Sequence, residues 1–411
     1  MKYVFIFISF LVISAHAIAQ RNTLSFFIEN AKTNSPLLTS IQYQQQLNSL
    51  DSLLLLASLK PQVKFSSINS YAPVIGGFGY DNAITNVGNF ATLIGINKEL
   101  ISRKTLSANL ENFKLHNDSL TLNYTLTEHD LKRTISEQYI NAFGSGQQFE
   151  ETEKIVNLLI NEEKILRVLT QKNIYKQTEY LTFLVTMQQQ QLQLSQDSIQ
   201  YVNDLSLLRY LTGIKDTDRV DLTEPFNLSY QEDAIIDSVF IKQFTLDSLL
   251  LRNTKSLVDA SYAPKISVYG DAGFNSTFAY SAYKNFGISA GISLEIPISD
   301  GGQKKITYEK IDLAEKQRIK NRDFFFNQYS QQINSLQKQL KSTENLITQI
   351  NNQLKYAETL IKANEKLLQT GEVSIADFIL ALQNHLSINN LLTQNRITRM
   401  HILNQINYWV K

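Results

Sequence analysis

Residues 262–302 read YAPKISVYGDAGFNSTFAYSAYKNFGISAGISLEIPISDGG, and this stretch decides the fold. From Lys265 to Asn275, and again from Phe286 to Ile296, apolar or small residues alternate with mostly polar ones. A period of two over about ten residues is typical of a strand with one apolar and one polar face, as in strands that cross a membrane. We therefore predict two strands here. The predicted strand–helix junctions are marked by proline and glycine, at Pro264, Pro297, Gly301 and Gly302.

A weaker copy of this unit lies upstream. Lys98 and Ile296 are separated by as many residues as Asn173 and Gly371, and Pro61 has a counterpart in Pro264 at nearly the same offset. Both halves have the order helix, proline, two strands, long helix, turn and returning helix. The sequence predicts a first repeat at residues 20–213, an equatorial linker or belt at 214–235 and a second repeat at 236–411.

The strands of the first copy are less regular. Alternation begins at Val63 and Phe65, slips near Ile68, and resumes between Phe90 and Ile96. An ordinary half-buried hairpin would give the same pattern, so alternation by itself leaves two interpretations open.

Two segments have the length and polarity of long coiled-coil helices, Ile101–Lys172 and Ser299–Thr370. At 1.5 Å per residue each would reach roughly 110 Å, which no single globular core buries. Coiled-coil packing along their length is therefore expected. In the second segment the seam advances by alternating steps of three and four residues, through Ile347, Ile350, Leu354, Ala357, Ile361, Asn364 and Leu368.

The returning helices, near Tyr180–Thr212 and Phe378–Val410, would reach only roughly 50 Å. We expect Leu24–Ser58 to extend the length of one and Ile236–Tyr262 that of the other. Two glycines, at 144 and 146, interrupt the first long helix. We predict a kink there, and a helix end is the alternative.

The N-terminus has the order of a secretory signal peptide. Lys2 precedes an apolar run that is followed by Ala17-Ile18-Ala19, which predicts a signal peptide at residues 1–19. The chain has 39 Lys and Arg against 38 Asp and Glu, so charge gives no reason to expect nucleic acid as a partner. It contains no cysteine. Four histidines lie outside the predicted signal peptide, at His116, His129, His385 and His401. They lack metal-ligand spacing, so we predict no enzyme, no metal and no cofactor.

The expected fold is mainly α, with long antiparallel coiled-coil helices and four strands per chain. Membrane barrels start at about eight strands, so four strands cannot close. Open strand edges are not tolerated in lipid. Three chains would supply twelve strands, and closure therefore suggests a trimeric barrel.

In these features the chain resembles the TolC-type outer-membrane efflux (outer membrane factor) family. The resemblance covers nearly the whole chain after the signal peptide and rests on the order of its motifs. These are Tyr262–Ile266, Leu294–Gly302, the turn Gly371–Asp377 and Leu208–Gly213. It implies a homotrimer with a 12-stranded barrel in outer-membrane lipid and an α-helical tunnel through the periplasm. It also implies that the tunnel tip meets a periplasmic adaptor (membrane fusion protein) and an inner-membrane transporter.

The resemblance further implies acidic residues facing the pore at this tip. Glu179 and Asp377 lie six residues after Asn173 and Gly371, the predicted tip turns. Threefold symmetry would make each a ring that favours cations. A carboxylate is also favoured near a helix N-terminus by the helix dipole, and this simpler interpretation remains open. Other acidic pairs, such as Glu162-Glu163, are interpreted as solvated helix faces.

Three functions remain open at this stage. The first is the exit duct of a tripartite efflux pump. The second is the outer-membrane exit channel of a type I protein-secretion system. The third, of a different class, is a soluble periplasmic coiled-coil scaffold whose hairpins pack on themselves.

Overall fold

The computed structural model describes residues 22–81, 88–216, 220–225 and 238–410. The predicted signal peptide and most of the predicted belt lie outside the described residues. The elements, in chain order, are helices α1 (Leu24–Asn34) and α2 (Pro36–Ser58), strands β1 (Gln62–Tyr71) and β2 (Gly88–Leu100), helices α3 (Arg103–Gln171), α4 (Gln177–Thr212) and α5 (Ser238–Ser261), strand β3 (Lys265–Ser276), a 3-10 helix (Ala279–Lys284), strand β4 (Phe286–Glu295), and helices α6 (Gln303–Thr370) and α7 (Ile375–Trp409).

The chain divides into two compact units. One comprises the described parts of Met1–Thr39, Tyr124–Phe240 and Phe324–Lys411, and the other comprises those of Ser40–Asn123 and Ile241–Asp323. The long helices α3 and α6 contribute residues to both. No helix within the described ranges is both long enough and apolar enough to cross a membrane.

The second unit contains a four-stranded antiparallel sheet with the order β1-β2-β3-β4. The register aligns the predicted apolar faces, since Ile266 pairs with Leu294, Val268 with Ile292 and Ala272 with Ile288. The opposite face carries polar pairs such as Asp271 and Ser289, whose hydroxyl donates to Asp271 Oδ2 at 2.7 Å. The strands predicted from alternation are therefore confirmed, and the register places their apolar residues together on one face. The assignment of that face to lipid stays a prediction.

The loss of regular alternation near Ile68, in the first copy, has a local cause. Pairing of β1 with β2 continues without interruption, with Ser67 opposite Thr92 and Ile68 opposite Ala91. Ser67 and Asn69 thus lie on the otherwise apolar face. Ser67 Oγ is 3.2 Å from Thr92 Oγ1, and the Asn69 amide donates to Ser67 Oγ at 3.1 Å, so these polar groups satisfy one another.

The segment Leu24–Ser58, predicted to extend the length of a returning helix, is helical but is divided between Asn34 and Pro36. Ser35, which precedes the proline, is extended, with φ −72° and ψ 113°. Its side-chain oxygen accepts from Leu38 N at 3.3 Å and caps α2. Proline at the first position starts a helix and disfavours helical geometry in the residue before it, so the break is local in origin.

The alternative of a helix end at Gly144–Gly146 is wrong, since α3 runs through both glycines. A kink at this point stays a prediction. A Cβ at Gly144 would lie 2.4 Å from Ile397 Cδ1 of α7, and one at Gly146 would lie 3.0 Å from the ring of Tyr201 of α4. These glycines therefore let two neighbouring helices approach α3 closely, which offsets part of their cost in helix propensity.

The predicted coiled-coil seam is the buried side of α6 in the first unit. Ile350, Ala357, Ile361 and Leu368 are buried, as is Asn364. Ile347 and Leu354 are half-buried.

Residues 220–225 of the predicted belt are held by two tyrosines. The Tyr201 hydroxyl donates to the carbonyl oxygen of Val220. The Tyr139 hydroxyl lies 2.6 Å from the carbonyl oxygens of both Asn22 and Thr223. Burial raises the pKa of Tyr139, so its hydroxyl keeps the proton that these contacts use.

Candidate functional site

The two helix reversals, which the sequence predicts as the tip, share one hydrogen-bond motif. Asn173 follows α3 with φ 60°, and Gly371 follows α6 with φ 77°. In the first turn Ile174 N donates to Leu169 O at 3.0 Å, and in the second Glu372 N donates to Leu367 O at 2.9 Å. Both are Schellman motifs, which require a left-handed residue after the helix. Glycine adopts that conformation freely, and asparagine tolerates it better than most residues.

Asp377 and Glu179 occupy the same position, three residues after the N-cap of their helices. The Ser374 side chain caps α7 by accepting from Asp377 N at 3.1 Å, and it donates to Asp377 Oδ2 at 2.6 Å. In α4, Glu179 Oε2 accepts from Lys176 N at 3.4 Å. Asp377 is exposed and Glu179 is half-buried. Both carboxylates therefore stabilise a helix start and remain accessible to an ion.

The two helix hairpins are joined at this end of the first unit. The buried Tyr175 donates through its hydroxyl to Leu368 O at 2.7 Å, which ties the first turn to the end of α6. Behind it, the rings of Phe183 and Phe378 are fully buried and stacked, with centroids 6.4 Å apart. Aromatic packing of this kind fixes the relative positions of α4 and α7. Tyr175 was not predicted from the sequence as a residue of this site, although it directly follows the turn.

The interpretation of Glu162-Glu163 as a solvated face is wrong, since Glu162 is only 2% exposed. Burial raises the pKa of Glu162, and the charge of Glu365 raises it further. Burial also acts on Glu163, but the Tyr180 hydroxyl at 2.5 Å and the Arg167 guanidinium at 2.9 Å outweigh it and hold its pKa below the ordinary value. Glu162 and Glu163 thus lie inside the protein rather than on a solvated face. Glu163 is paired there with Arg167, whereas Glu162 is repelled by the charge of Glu365.

The second unit places the predicted junction residues at the ends of β3 and β4. Pro264 directly precedes β3, while Pro297 and the glycines connect β4 to α6. Gly301 and Gly302 have φ 64° and 86°. Asp300 Oδ1 accepts from Gly302 N at 2.9 Å, and Oδ2 accepts from Lys304 N at 2.7 Å. Hydrogen bonds from Tyr262 and these amides lower the pKa of Asp300, which keeps it ionised. Asp300 therefore accepts hydrogen bonds from backbone amides at the start of α6 and stabilises the connection from β4 to that helix.

Within the described chain, no group of three or more His, Asp or Glu side chains could hold a metal ion. The half-buried His401 lies 3.8 Å from Glu137 Oε1, and burial lowers its pKa despite that neighbour.

Comparison with solved structures identifies the fold. The outer-membrane channel CmeC of Campylobacter jejuni superposes with a TM-score of 0.73 at 13% identity, covering 94% of this chain and 84% of CmeC. The outer-membrane protein VceC of Vibrio cholerae gives 0.72 at 10% identity, covering 94% and 95%. The outer-membrane channel MtrE of Neisseria gonorrhoeae, in its open state, gives 0.70 at 12% identity, covering 94% and 88%. No protein-family model and no curated protein matches the sequence.

Proposed function

We propose that this chain, which has the fold of those outer-membrane channels, is the outer-membrane subunit of a tripartite efflux pump. In this role it forms a passive, non-enzymatic exit duct that extends from the outer membrane into the periplasm. The observation that carries the proposal is the sheet, because its apolar face is exposed and, within the described residues, both of its edges are open. Both features favour association with other surfaces, and a closed barrel in lipid accounts for both.

The apolar face of the sheet has the chemistry of a lipid contact. Ile288 is 81% exposed and Ile292 is 74% exposed, and the same face continues through Phe65, Ile94 and Val268. Contiguous apolar surfaces of this kind on a soluble protein mark a membrane or protein contact. The opposite face carries Asp271, Ser289 and several glycines, as expected for a wet lumen.

The strand count sets the number of subunits. Among the described residues of one chain β1 pairs only with β2, and β4 pairs only with β3, so each presents an edge that is open within that part of the chain. Joining β4 of one copy to β1 of the next extends the sheet by four strands at a time. Three copies give twelve strands, an even number within the range of bacterial barrels.

The helices also need neighbours in the assembly. On α4, Leu181, Val185, Leu192 and Ile199 are exposed at coiled-coil spacing. A second copy packed along this stripe would bury it and continue the wall of a helical tunnel. We further propose that the wall is built from two repeats, residues 20–213 and 236–411, joined by the belt at 214–235.

The purified protein is expected to be a homotrimer in mild detergent, because fewer copies leave the strand edges open. Native mass measurement of the detergent-solubilised protein checks this directly. A monomer or a dimer as the main species would contradict the barrel, whatever the transport partner is.

A periplasmic adaptor and an inner-membrane transporter are the proposed partners, with the α3–α4 and α6–α7 turns as the docking end. A type I secretion exit shares the same duct and differs only in the transporter that it meets. The soluble scaffold is disfavoured by the exposed apolar face. Alkaline washing of membranes separates these classes, since a scaffold is released and a barrel stays in the membrane.

The tip carboxylates are proposed to narrow and charge the pore. Neutralising them with Asp377→Asn and Glu179→Gln together should lower the preference for cations and weaken block by divalent cations, because a ring of carboxylates concentrates cations. Single-channel recording in planar bilayers measures both effects. Both changes preserve side-chain shape, so the helix starts are retained.

Glu358→Gln is the matched control, because Glu358 is exposed on α6 away from the turns. It should leave selectivity unchanged. If the double variant also behaves as the unmodified channel, Asp377 and Glu179 serve only as helix-start residues, and the pore ring is excluded.

A further inference from the structure

A cleft in the first unit, unrelated to the turns or the sheet, has the composition of a ligand site. It has a volume of about 500 Å³ and lies among α1, the middle of α3 and the C-terminal end of α7. Small-molecule sites are of this size and combine apolar walls with a few polar groups. The duct has no use for such a recess, since transport runs along the tunnel axis.

The cationic side of the cleft is contributed by consecutive residues of α3. Lys132 lines the cleft and has no ion-pair partner within the described residues. Arg133 lies beside it, with its guanidinium 4.3 Å from the centre of the Tyr408 ring and 3.4 Å from Asp130. The ring and the carboxylate hold this guanidinium in place. Lys132 is therefore the cation available to a ligand.

The other lysine of the lining is already engaged by carboxylates. Lys32 contacts Glu128 at 2.6 Å and Glu29 at 3.3 Å. Within the described residues, Lys132 is therefore the lining cation that no carboxylate engages, and an anionic ligand would meet it at the α3 side.

Uncharged donors stand next to this cation. Ser136 is one turn further along α3, is 2% exposed and lines the cleft, yet its hydroxyl makes no hydrogen bond within the described chain. The Asn404 amide is committed to Arg133 O at 3.1 Å, whereas the Asn407 side chain has no such partner among the described residues. The Ser136 hydroxyl borders the cleft and can donate a hydrogen bond to a ligand oxygen.

Apart from Ser25 and His129, the rest of the cleft lining is apolar or aromatic. Leu24, Ile28 and Val410 line it and are buried, and the Tyr408 ring adds an aromatic wall. Burial and the hydrogen bond to Asp130 raise the pKa of Tyr408 to about 12, so this wall carries no charge at neutral pH. Such a surface favours a hydrophobic body over a fully hydrated inorganic ion.

We propose that this cleft binds a small amphipathic organic anion, with its carboxylate against Lys132 and Ser136 and its apolar body against Leu24, Ile28 and Tyr408. The proposal is independent of channel activity, because it concerns only binding to a side recess of the assembled protein.

The chain supplies its own reporter for this site. Trp409 is the only tryptophan, and its ring centroid lies 5.0 Å from that of Tyr408. Titrating the full-length, detergent-solubilised protein with benzoate should give a saturable change in tryptophan fluorescence. Benzyl alcohol, which is neutral, should bind at least about tenfold more weakly, as expected for the loss of a charge-assisted hydrogen bond. Inorganic phosphate should bind more weakly than benzoate, because it lacks the apolar body.

Lys132→Gln should weaken benzoate binding by about tenfold or more, and Ser136→Ala should weaken it to a smaller extent. The control is Lys338→Gln, at an exposed lysine on α6 in the same unit, and it should titrate like the unmodified protein. Circular dichroism verifies that each variant is folded, and if Lys132→Gln does not fold, Ser136→Ala is the deciding variant.

The proposal is overturned if benzoate gives no saturable change, or if benzyl alcohol or phosphate binds as tightly as benzoate. Equal benzoate affinity in both cleft variants and the control also overturns it. Complete inaccessibility of the cleft in the trimer would appear as the absence of a benzoate response, which is the same negative result.

Discussion

Ile288→Arg is expected to abolish assembly of the protein in the outer membrane. Ile288 is the third of the ten residues of β4, is 81% exposed in the single chain, and pairs across the sheet with Ala272 on the apolar face. An arginine facing lipid costs up to about 2–4 kcal/mol, the cost being largest at the bilayer midplane. In a trimer this cost applies three times, which is comparable to the whole stability of many proteins. The measurement is the amount of folded trimer recovered from isolated outer membranes.

Ser289→Arg is the matched control, since it places the same side chain one residue away on the opposite face. Ser289 donates to Asp271 Oδ2 at 2.7 Å, so an arginine here would lie beside a carboxylate in a wet lumen. Trimer yield should be close to that of the unmodified protein. If both variants assemble equally well, or if only Ser289→Arg fails, the two faces of the sheet are misassigned.

The strands of the sheet could be predicted because the pattern that specifies each of them lies within one short segment of sequence. Alternation from Lys265 to Asn275 fixes which side chains share a face, and a slip of one residue would exchange the faces. The observed register keeps Val268 opposite Ile292. In β1 the alternation weakens because Ser67 and Asn69 lie on the apolar face, where they bond to each other and to Thr92. That compensation comes from β2 and is not visible in the sequence of β1.

The errors in the helices arise where packing outweighs local preference. Glycines predict a weak point in a helix. At Gly144 and Gly146, however, a side chain would collide with Ile397 and Tyr201, two residues that are distant in sequence. The acidic residue Glu162 predicts a solvated face, yet its face is buried. The break before Pro36 is different, because the rule for residues that precede proline identifies it from the sequence alone.

The candidate sites were predictable to different degrees. The turns at Asn173 and Gly371 follow from residue type, and their matched positions identified Asp377 and Glu179. The contact of Tyr175 with Leu368 O was not predictable, since it joins two hairpins. The cleft beside Lys132 was also not predictable. Its walls come from three helices that are far apart in sequence, and no motif marks any of them.

Gly273→Ala is expected to disrupt the sheet, although it adds only one methyl group. A Cβ at this position would lie 2.1 Å from Thr92 O and 2.8 Å from Leu93 Cα, both backbone atoms of β2. Backbone atoms in a paired strand cannot move aside as the end of a flexible side chain can. The β2–β3 ladder must therefore separate locally, at a cost of about 2 kcal/mol or more per subunit. The temperature at which the trimer dissociates on gel electrophoresis measures the effect.

Gly287→Ala is a close control, because Gly287 pairs directly with Gly273 on the next strand and shares its face. No atom of the described part of its own chain lies within 4 Å of a Cβ built there, so this methyl group meets no obstacle within the subunit. Its dissociation temperature should match that of the unmodified trimer, while that of Gly273→Ala falls well below both. Equal behaviour of the two alanine variants would mean that β2 does not approach β3 at Gly273. The register that places Leu93 opposite Gly273, and with it the barrel order, would then be incorrect.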